Sequence, residues 1–336
     1  MTNAQPFRKV SVIGGGAWGT ALAHLAARNG AETLLWAREP EVVESINREA
    51  ENTSFLPGVK LDPRLGATVD LQAAARSDAL VFAVPSQFAR ATLEKLRGWA
   101  AADAPLVLCS KGIERKSDLM LTEVLAAVWP TASAAALSGP SFAKDVARGL
   151  PTAVTLAASD PALGARWLAT LGAPHFRLYL SDDLIGAELG GAVKNVLAIA
   201  AGAVIGRGLG ESARAALIAR GFAEFQRLGV ALGAKRETMA GLSGLGDLIL
   251  TASSMQSRNY SLGFELGQGA SLPAILAARQ SVAEGVATAS AVVARAEKAQ
   301  IDVPVCKAVA DLVAGAKPLD AIVAELLARP LKSETA

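Results

Sequence analysis

The first half of the chain alternates short apolar runs with longer alanine-rich segments whose apolar residues recur at helical spacing. The short runs are rich in β-branched residues and predict strands at residues 10–13, 33–36, 79–84, 106–110, 135–138, 153–157 and 176–180. Helices are predicted between them, for example at residues 19–29 and 118–128. This alternation indicates a doubly wound, mostly parallel sheet with right-handed crossovers and helices on both faces.

The pattern changes after residue 184. From there to residue 336 the strand signals vanish, and segments rich in Ala, Leu and Gly carry apolar residues at helical spacing. We therefore predict an α/β domain at residues 1–184, followed by an all-helical C-terminal domain at residues 185–336. A chain of 336 residues is long enough for two such domains.

One segment, residues 185–205, is apolar enough to need comparison with a membrane span. It contains Glu188, Lys194 and Asn195 together with four glycines. Charged groups are costly inside a bilayer. The segment therefore predicts a helix in the core of the second domain, and no membrane span is expected.

The overall charge is nearly balanced. The chain carries 33 basic and 31 acidic residues, and no stretch concentrates Lys and Arg. Recognition of a polyanion requires such a concentration, so no nucleic-acid partner is expected. The first ten residues lack the apolar core of a secretory signal, which predicts that there is no signal peptide.

The chain has few Cys and His residues, which limits the metal sites and acid–base groups that it can form. Cys109 and Cys306 are far apart in apolar surroundings, which is typical of core packing rather than of a disulfide framework or a thiolate metal cluster. The only histidines, His24 and His175, show no ligand-like spacing. We therefore expect no metal site, and we expect the acid–base groups to be Lys, Asp or Glu.

A glycine motif follows the first predicted strand. The segment VSVIGGGAWGTALA places Gly14, Gly16 and Gly19 in G-x-G-x-x-G spacing, after an apolar strand and at the start of a helix. Gly14 permits the tight turn, Gly16 lets a pyrophosphate approach the backbone, and Gly19 permits close packing of helix and strand. The anion would bind free N–H groups at the positive end of the helix. The motif predicts a Rossmann-type dinucleotide site; a glycine-rich turn without a ligand is the alternative.

The residues around this motif bear on which dinucleotide binds. Arg38 follows the second strand, where a guanidinium can pair with the 2′-phosphate of NADP. Glu39 comes next and can serve the ribose of NAD instead, so the cofactor is NADP or NAD, with NADP favoured. Trp18, between the glycines, either covers the cofactor or packs against a neighbour.

Two lysines lie in unusual surroundings. Lys111 follows a buried strand in LVLCSKGIE, at the sheet edge where ligands of parallel sheets bind. Lys194 lies in LGGAVKNVLAIAAG, a helix with almost no other charge. Burial lowers the pKa of a lysine, so that it can exchange protons near neutrality. The alternative for each is a lysine whose stem follows apolar surface to reach water.

A polar cluster follows in GLSGLGDLILTASSMQSRN. Asp247 is either the N-cap of the next helix or the partner of a buried lysine. Ser257, Arg258 and Asn259 combine a guanidinium fork with two short polar groups, a set that suits a phosphate. The ordinary alternative is a solvated helix start.

Taken together, these motifs resemble the bacterial NAD(P)-dependent sn-glycerol-3-phosphate dehydrogenases over nearly the whole chain. The matching segments occur in the family's order: GGGAWGTALA, NTSFLPGV, AVPSQ, SKGIE, SGPSFAKD, LGGAVKNV, GLGDLILT, QSRN and VAEG. The resemblance implies hydride transfer between sn-glycerol 3-phosphate and dihydroxyacetone phosphate. It also implies a cytoplasmic homodimer that supplies glycerol 3-phosphate for phospholipid synthesis.

The resemblance also implies roles for single residues. Lys194 would take the C2 hydroxyl proton and return it in the reverse direction, Asp247 would hold Lys194, and Lys111 would contact substrate and cofactor. The implied substrate positions are Lys111, Gly139, Ser141, Lys194, Asp247, Ser257, Arg258 and Asn259. The glycine motif and the resemblance together give as cofactor positions Gly14, Gly16, Ala17, Trp18, Gly19, Arg38, Phe88, Lys111, Ala143, Arg258, Val282 and Glu284. Ala17 departs from the family's pattern, where Ser or Asn is common, and so lacks a side-chain hydrogen bond to phosphate.

Two other interpretations remain. A 3-hydroxyacid or 6-phosphogluconate-type dehydrogenase also combines a Rossmann domain with a helical domain and a Lys-Asn helix, but the ordered SKGIE, GLGDL and QSRN segments disfavour it. A dinucleotide-sensing module would need a DNA-binding or docking element, and the sequence shows no helix-turn-helix with a basic recognition face.

Overall fold

The computed structural model describes residues 4–279 and 283–330, and its centre is one eight-stranded sheet of order β3-β2-β1-β4-β5-β6-β7-β8. All neighbouring strands are parallel except β6 and β7, which confirms the predicted mostly parallel, doubly wound α/β sheet. The strands are β1 Lys9–Ile13, β2 Glu32–Trp36, β3 Gly66–Thr68, β4 Ala79–Phe82, β5 Pro105–Leu108, β6 Ser133–Ser138, β7 Thr152–Ala158 and β8 Phe176–Ser181.

Helices cover both faces of the sheet and then continue alone. Those among the strands are α1 Ala17–Arg28, α2 Pro40–Glu49, α3 Leu71–Ala75, α4 Ala89–Arg97, α5 Leu121–Val128, α6 Ala143–Ala147 and α7 Pro161–Leu171. Those after the sheet are α8 Leu184–Gly206, α9 Glu211–Ala231, α10 Arg236–Ala240, α11 Asp247–Thr251, α12 Arg258–Gly267, α13 Leu272–Ala277, α14 Glu284–Lys298, α15 Pro304–Val313 and α16 Leu319–Leu327. A 3₁₀ turn, Ser86–Phe88, precedes α4, and a π-helical turn, Leu242–Gly246, precedes α11.

The structure corrects two sequence expectations. Strand β3, Gly66–Thr68, was not predicted, because three residues are too few to show a periodic pattern. The helix predicted at 118–128 begins only at Leu121. Asp118 has a left-handed φ of 59°, and the Glu123 carboxylate accepts a hydrogen bond from the N–H of Met120 at the helix start. This hydrogen bond caps the helix at Met120, so α5 begins after residue 118 rather than at it.

The sheet core explains why its central strands are continuous apolar runs. All four residues of β4 are buried, as expected for a strand covered on both faces. One face packs against α1 and α7, and the other against α4 and α5.

Helix α8 is the axis of the helical part. By length and composition it is the one described helix that could span a membrane, yet 83% of its apolar window is buried inside the fold. The predicted core helix is therefore confirmed. A Cβ built on Gly202 would lie 2.0 Å from the carbonyl oxygen of Tyr260, so α12 crosses α8 with the two backbones in contact. No described residue after Ser181 lies in a strand, and the division into domains at residue 184 stays a prediction.

Candidate active site

The glycine loop between β1 and α1 has the form that its motif predicts. Gly14 has a φ of +125°, and a Cβ on it would lie 2.8 Å from the carbonyl oxygen of Ala83 in the neighbouring strand's loop. A Cβ on Gly19 would lie 1.9 Å from the carbonyl oxygen of Gly14. In contrast, a Cβ on Gly16 would meet no atom within 4 Å in the part of the chain that the structure describes. The loop therefore packs tightly on the protein side and is open in front of Gly16.

The start of α1 fits an anion. No side chain among the described residues caps it, and its first turn contains no acidic residue. The N–H groups of a helix's first turn lack helical partners and carry partial positive charge. A dinucleotide pyrophosphate would bind these groups and the open Gly16 backbone. The residues present therefore fit the cofactor that the motif predicts.

Trp18 links this loop to the lysine region. Its ring is partly buried against the sheet core, and the Nζ atom of Lys111 lies 6.0 Å from the ring centroid. Its buried Nε1 has no hydrogen-bond partner in the part of the chain that the structure describes. Trp18 therefore lies between the glycine loop and Lys111, and its contact with a cofactor stays a prediction.

Arg38 and Glu39 lie just beyond the carboxyl end of β2. The Arg38 guanidinium donates two hydrogen bonds to one oxygen of Glu39, at 2.7 and 3.0 Å. The Arg38 side chain is 76% exposed, so it is free to turn toward a ligand. Arg38 and Glu39, the two residues predicted to recognise the adenosine ribose or its 2′-phosphate, are therefore hydrogen-bonded to each other.

The strongest cluster joins the two predicted lysines through one carboxylate. Lys194 Nζ lies 2.8 Å from Asp247 Oδ1, and Lys111 Nζ lies 2.7 Å from Asp247 Oδ2. Asp247 is 1% exposed and does not cap the helix that follows. Lys194 also donates to the hydroxyl of Thr251, at 2.8 Å, and Lys111 donates to the carbonyl oxygen of Gly139, at 2.9 Å. Both lysines are held by polar partners, and neither extends along apolar surface to water.

Glycines in α8 make this cluster possible. A Cβ on Gly190 would lie 2.4 Å from the carbonyl oxygen of Ser243, so the π-helical turn before Asp247 rests directly on α8. Such turns occur frequently at functional sites. On the next residue, Gly191, a Cβ would lie 3.1 Å from the Cγ of Lys111. The Gly-Gly pair therefore lets the π-helical turn and Lys111 pack against α8, where Asp247 pairs with both lysines.

Burial and charge set the protonation of the cluster. Burial lowers the pKa of Lys194 to about 8, and although the negative charge of Asp247 opposes this shift, the positive charge of Lys111 supports it. Burial alone would raise the pKa of Asp247, but the ammonium groups of Lys111 and Lys194 outweigh burial and hold the pKa below its usual value. The carboxylate thus stays charged at neutral pH, while Lys194 is mostly an ammonium group there and titrates near pH 8.

A chain of side-chain amides joins the Lys111 backbone to helices α8, α12 and α14. Asn195 donates to the carbonyl oxygen of Lys111 at 2.8 Å, and Asn259 donates to the side-chain oxygen of Asn195 at 2.9 Å. Asn259 in turn accepts from the N–H of Gly285 at 3.0 Å. Sequence reasoning did not assign Asn195 a role. Its position next to Lys194 in an apolar helix was the available signal.

Glu284 connects α14 to two loops at the carboxyl edge of the sheet. Its carboxylate accepts from the N–H of Ser86 at 3.0 Å and from the N–H of Lys111 at 3.2 Å. These amides follow β4 and β5, so one side chain fixes both loops. Glu284 therefore lies at the predicted site, beside the lysine cluster.

The other predicted substrate residues lie around this cluster. Ser141 donates to the carbonyl oxygen of Gly139 at 3.0 Å, the same oxygen that Lys111 contacts. Ser257 caps α12 by accepting from the N–H of Tyr260, which is the ordinary helix-start role. Arg258 is exposed at the first position of α12, and its positive charge contributes to the lowered pKa of Lys194.

For three predicted cofactor residues the structure gives little information about cofactor contact. Ala143 opens α6 and packs against the sheet core. Phe88 is 54% exposed at the end of the 3₁₀ turn. Val282 lies outside the described residues. Contact of these side chains with a cofactor stays a prediction.

A Rossmann sheet whose open anion site is connected, through Trp18 and Lys111, to a cluster that holds a buried lysine of lowered pKa defines a class: dinucleotide-dependent oxidoreductases that move a hydride and a proton. The family comparison makes this specific. Residues 9–164 match the model described as NAD-dependent glycerol-3-phosphate dehydrogenase N-terminus, and residues 183–324 match the corresponding C-terminus. The chain belongs to the NAD-dependent glycerol-3-phosphate dehydrogenase family.

Individual relatives agree over full length. A Parvibaculum lavamentivorans protein named glycerol-3-phosphate dehydrogenase (NAD(P)+) is 56% identical over 98% of this chain and 99% of its own. A Rhodospirillum rubrum protein of the same name is 55% identical over 97% of this chain and 93% of its own. The crystal structure of glycerol-3-phosphate dehydrogenase from Coxiella burnetii has a TM-score of 0.92 and 37% identity, covering 96% of this chain and 99% of that one.

These findings confirm the predicted family and class. The chain is an oxidoreductase of the glycerol-3-phosphate dehydrogenase family, and its dinucleotide is NAD or NADP. They support neither the 3-hydroxyacid-type dehydrogenase nor the dinucleotide-sensing module.

Proposed function

We propose that this chain interconverts sn-glycerol 3-phosphate and dihydroxyacetone phosphate, with Lys194 exchanging the proton of the C2 oxygen. The observation that carries the proposal is the buried Lys194 held between Asp247 and Thr251, beside Lys111. When bound, the nicotinamide supplies or accepts the hydride at C2. The protein's own residues bind the substrate and exchange the proton.

The proton transfer depends on the state of Lys194. As a neutral amine it takes the hydroxyl proton of glycerol 3-phosphate, and as an ammonium it protonates the oxygen of the reduced ketone. A pKa of about 8 keeps both forms accessible near neutrality, which is the condition for efficient acid–base catalysis. Asp247 and Thr251 hold the amine in one place through the hydrogen bonds they make with it.

The charges suit an anionic substrate. With both lysines protonated, two positive charges face the single negative charge of Asp247. Arg258, exposed at the start of α12, adds a guanidinium that can bind a phosphate through two parallel hydrogen bonds. We assign the phosphate to Arg258 and Asn259, and the C2 oxygen to Lys194 and Lys111. Ser257, Ser141 and Gly139 complete the substrate site.

On the cofactor side, Gly14, Gly16, Ala17, Trp18 and Gly19 would hold the pyrophosphate. Arg38 would leave Glu39 to pair with a 2′-phosphate, and this contact is the basis for preferring NADP over NAD. Membership of the family supports the remaining assignments: a cytoplasmic homodimer that supplies glycerol 3-phosphate for phospholipid synthesis.

A substrate panel tests the proposal. Purified protein should oxidise NADPH or NADH with dihydroxyacetone phosphate and not with hydroxyacetone, which has the same ketone without the phosphate. Arg258→Ala should raise the KM for dihydroxyacetone phosphate by about tenfold or more, because a charge-assisted pair is lost. Turnover of hydroxyacetone as fast as of the phosphate would contradict the assignment of the substrate.

A further inference from the structure

A buried asparagine lies behind the glycine loop. Asn52 begins the segment NTSFLPGV, which contains none of the predicted site residues, and it is 0% exposed. It follows α2, whose C-cap residue Ala50 is in a left-handed conformation. A buried amide is costly unless its polar atoms are paired, so its partners indicate what it does.

Those partners belong to the glycine loop and the start of α1. The Asn52 Nδ2 donates to the carbonyl oxygen of Gly15 at 2.8 Å and to the Thr20 hydroxyl at 2.8 Å. Its Oδ1 accepts from the N–H of Phe55 at 3.0 Å, which holds Asn52 in its own turn. The side chain thus joins the loop after α2 to the middle of the glycine motif.

The bond to Gly15 sets the direction of one peptide plane. In a trans peptide the carbonyl oxygen and the following N–H point in opposite directions. Because the Gly15 carbonyl points at Asn52, the Gly16 N–H points away from the protein interior, toward the open space in front of Gly16. Among the described residues this N–H has no partner.

We propose that Asn52 is a positioning residue for the dinucleotide, because its bond to Gly15 aims the Gly16 N–H at the pyrophosphate. This inference rests on the proposed function only for the presence of a dinucleotide, not for the substrate. The pyrophosphate is common to NAD and NADP, so Asn52 affects both cofactors equally. In this it differs from Arg38, which would meet only the 2′-phosphate.

Binding titrations of NADH and NADPH, without any triose, test the proposal. Asn52→Ala should raise both Kd values by about tenfold and by the same factor, since a freely oriented donor replaces a fixed one. At saturating cofactor, the KM for dihydroxyacetone phosphate should not change. Unchanged Kd values, or a loss confined to NADPH, would overturn it.

The chain offers a matched control. The side-chain amide of Asn47 on α2 also bonds to backbone atoms. It donates to the carbonyl oxygen of Ala67 in β3 at 2.9 Å and accepts from the N–H of Ala67 at 2.8 Å. Asn47→Ala should lower the unfolding temperature and leave both Kd values unchanged. An equal loss of affinity in both variants would show that any lost asparagine loosens the domain, and the positioning role would be wrong.

A second variant covers the possibility that Asn52→Ala does not fold. Thr20→Val keeps the shape of the side chain but removes one partner of Asn52, together with the longer bond, at 3.4 Å, that the Thr20 hydroxyl itself donates to the Gly15 carbonyl. It should raise both Kd values in parallel, by a smaller factor than Asn52→Ala. Unaltered affinity for both cofactors in a folded Thr20→Val protein would count against the proposal. Because no triose is present, these results do not depend on which substrate the enzyme reduces.

Discussion

Lys194 is an ammonium group in a place where water cannot stabilise its charge. Burial therefore lowers its pKa to about 8, while the carboxylate of Asp247 prevents a larger fall. The cost of burying the carboxylate is offset by two lysines, which keep the pKa of Asp247 below its usual value. One carboxylate thus fixes the position of Lys194 and limits the shift of its pKa.

The two reaction directions should therefore depend on pH in opposite ways. Reduction of the ketone needs the ammonium form of Lys194, so kcat/KM for reduction should fall as pH rises through about 8. Oxidation needs the neutral amine, so kcat/KM for oxidation should rise through the same range. Profiles measured in both directions from pH 6 to pH 10 check this. Asp247→Asn should move both midpoints to lower pH; midpoints that do not move would contradict the role given to Asp247.

Arg38 supports a separate prediction about the cofactor. Arg38→Ala should raise the KM for NADPH by about tenfold or more and leave the KM for NADH nearly unchanged, because only NADPH has the 2′-phosphate. Arg48→Ala is the control, since Arg48 is also an exposed arginine that pairs with glutamates, Glu44 and Glu49. Equal changes for both cofactors in Arg38→Ala would refute the assignment.

Sequence reasoning singled out the three charged residues that the structure brings together, and it gave no role to two of their neutral partners, Thr251 and Asn195. Lys111, Lys194 and Asp247 are conspicuous because charges are rare in apolar segments. Thr251 and Asn195 are ordinary residues whose role depends on contact with a lysine across the fold, at 2.8 Å in each case. Sequence spacing contains no information about such a contact.

At the scale of elements, the site depends on how closely other chain segments approach α8. Gly190 and Gly191 have no side chains to hold the π-helical turn or Lys111 away. The sequence showed these glycines, and it predicted the buried helix around them. The π-helical turn at Leu242–Gly246 was not foreseen, because it forms only where the chain packs on α8.

Gly191→Ala tests this close packing. The added Cβ would lie 2.8 Å from the Ser138 Oγ and 3.1 Å from the Lys111 Cγ, so the Ser138 hydroxyl must move and the Lys111 side chain must give by a few tenths of an ångström. We expect kcat to fall by about tenfold or more, since small displacements of positioned groups are costly. Gly164→Ala on α7 is the control, because its Cβ would make only ordinary contacts, from 3.4 Å outward. Full activity in Gly191→Ala would mean that Lys111 need not stay where it is.

Helix α8 also meets α5 through a carboxylate. Glu188 accepts hydrogen bonds from both the N–H and the hydroxyl of Thr122. Burial raises the pKa of Glu188 from 4.5 to about 7, although the bonds from Thr122 oppose the shift. Between these pH values the folded state binds more protons than the unfolded state. The contribution of Glu188 to stability therefore falls as pH rises from 4.5 to 7.

Glu188→Gln should remove this dependence. The neutral amide can keep both contacts with Thr122 and has no proton to release. The unfolding temperature of Glu188→Gln minus that of the wild type should be a few degrees larger at pH 8 than at pH 5. Thermal unfolding at the two pH values measures the difference, with Glu211→Gln on the exposed start of α9 as control. A difference that is the same at both pH values would show that Glu188 does not titrate in this range.

At the scale of the whole molecule, the sheet and the helical part meet along the site. Glu284 of α14 binds the loops after β4 and β5, and Arg295 of the same helix pairs with Glu123 of α5 at 2.6 Å. The order of sheet and helices was readable from the sequence because the short apolar runs stop near residue 184 while apolar residues at helical spacing continue. Strand β3 and the antiparallel pairing of β7 were not readable, because both depend on tertiary neighbours.

The most direct test of the account is the rate of Lys194→Ala. NADPH- or NADH-dependent reduction of dihydroxyacetone phosphate should lose about 10² to 10⁴ in kcat, the usual contribution of a positioned acid–base group. The Kd for the cofactor should stay within about twofold, a difference well below 1 kcal/mol. Lys317→Ala is the control, because Lys317 is also an ion-paired lysine, with Asp311 and Glu325 as its partners, away from the site. A Lys194→Ala enzyme as active as the wild type would contradict the account.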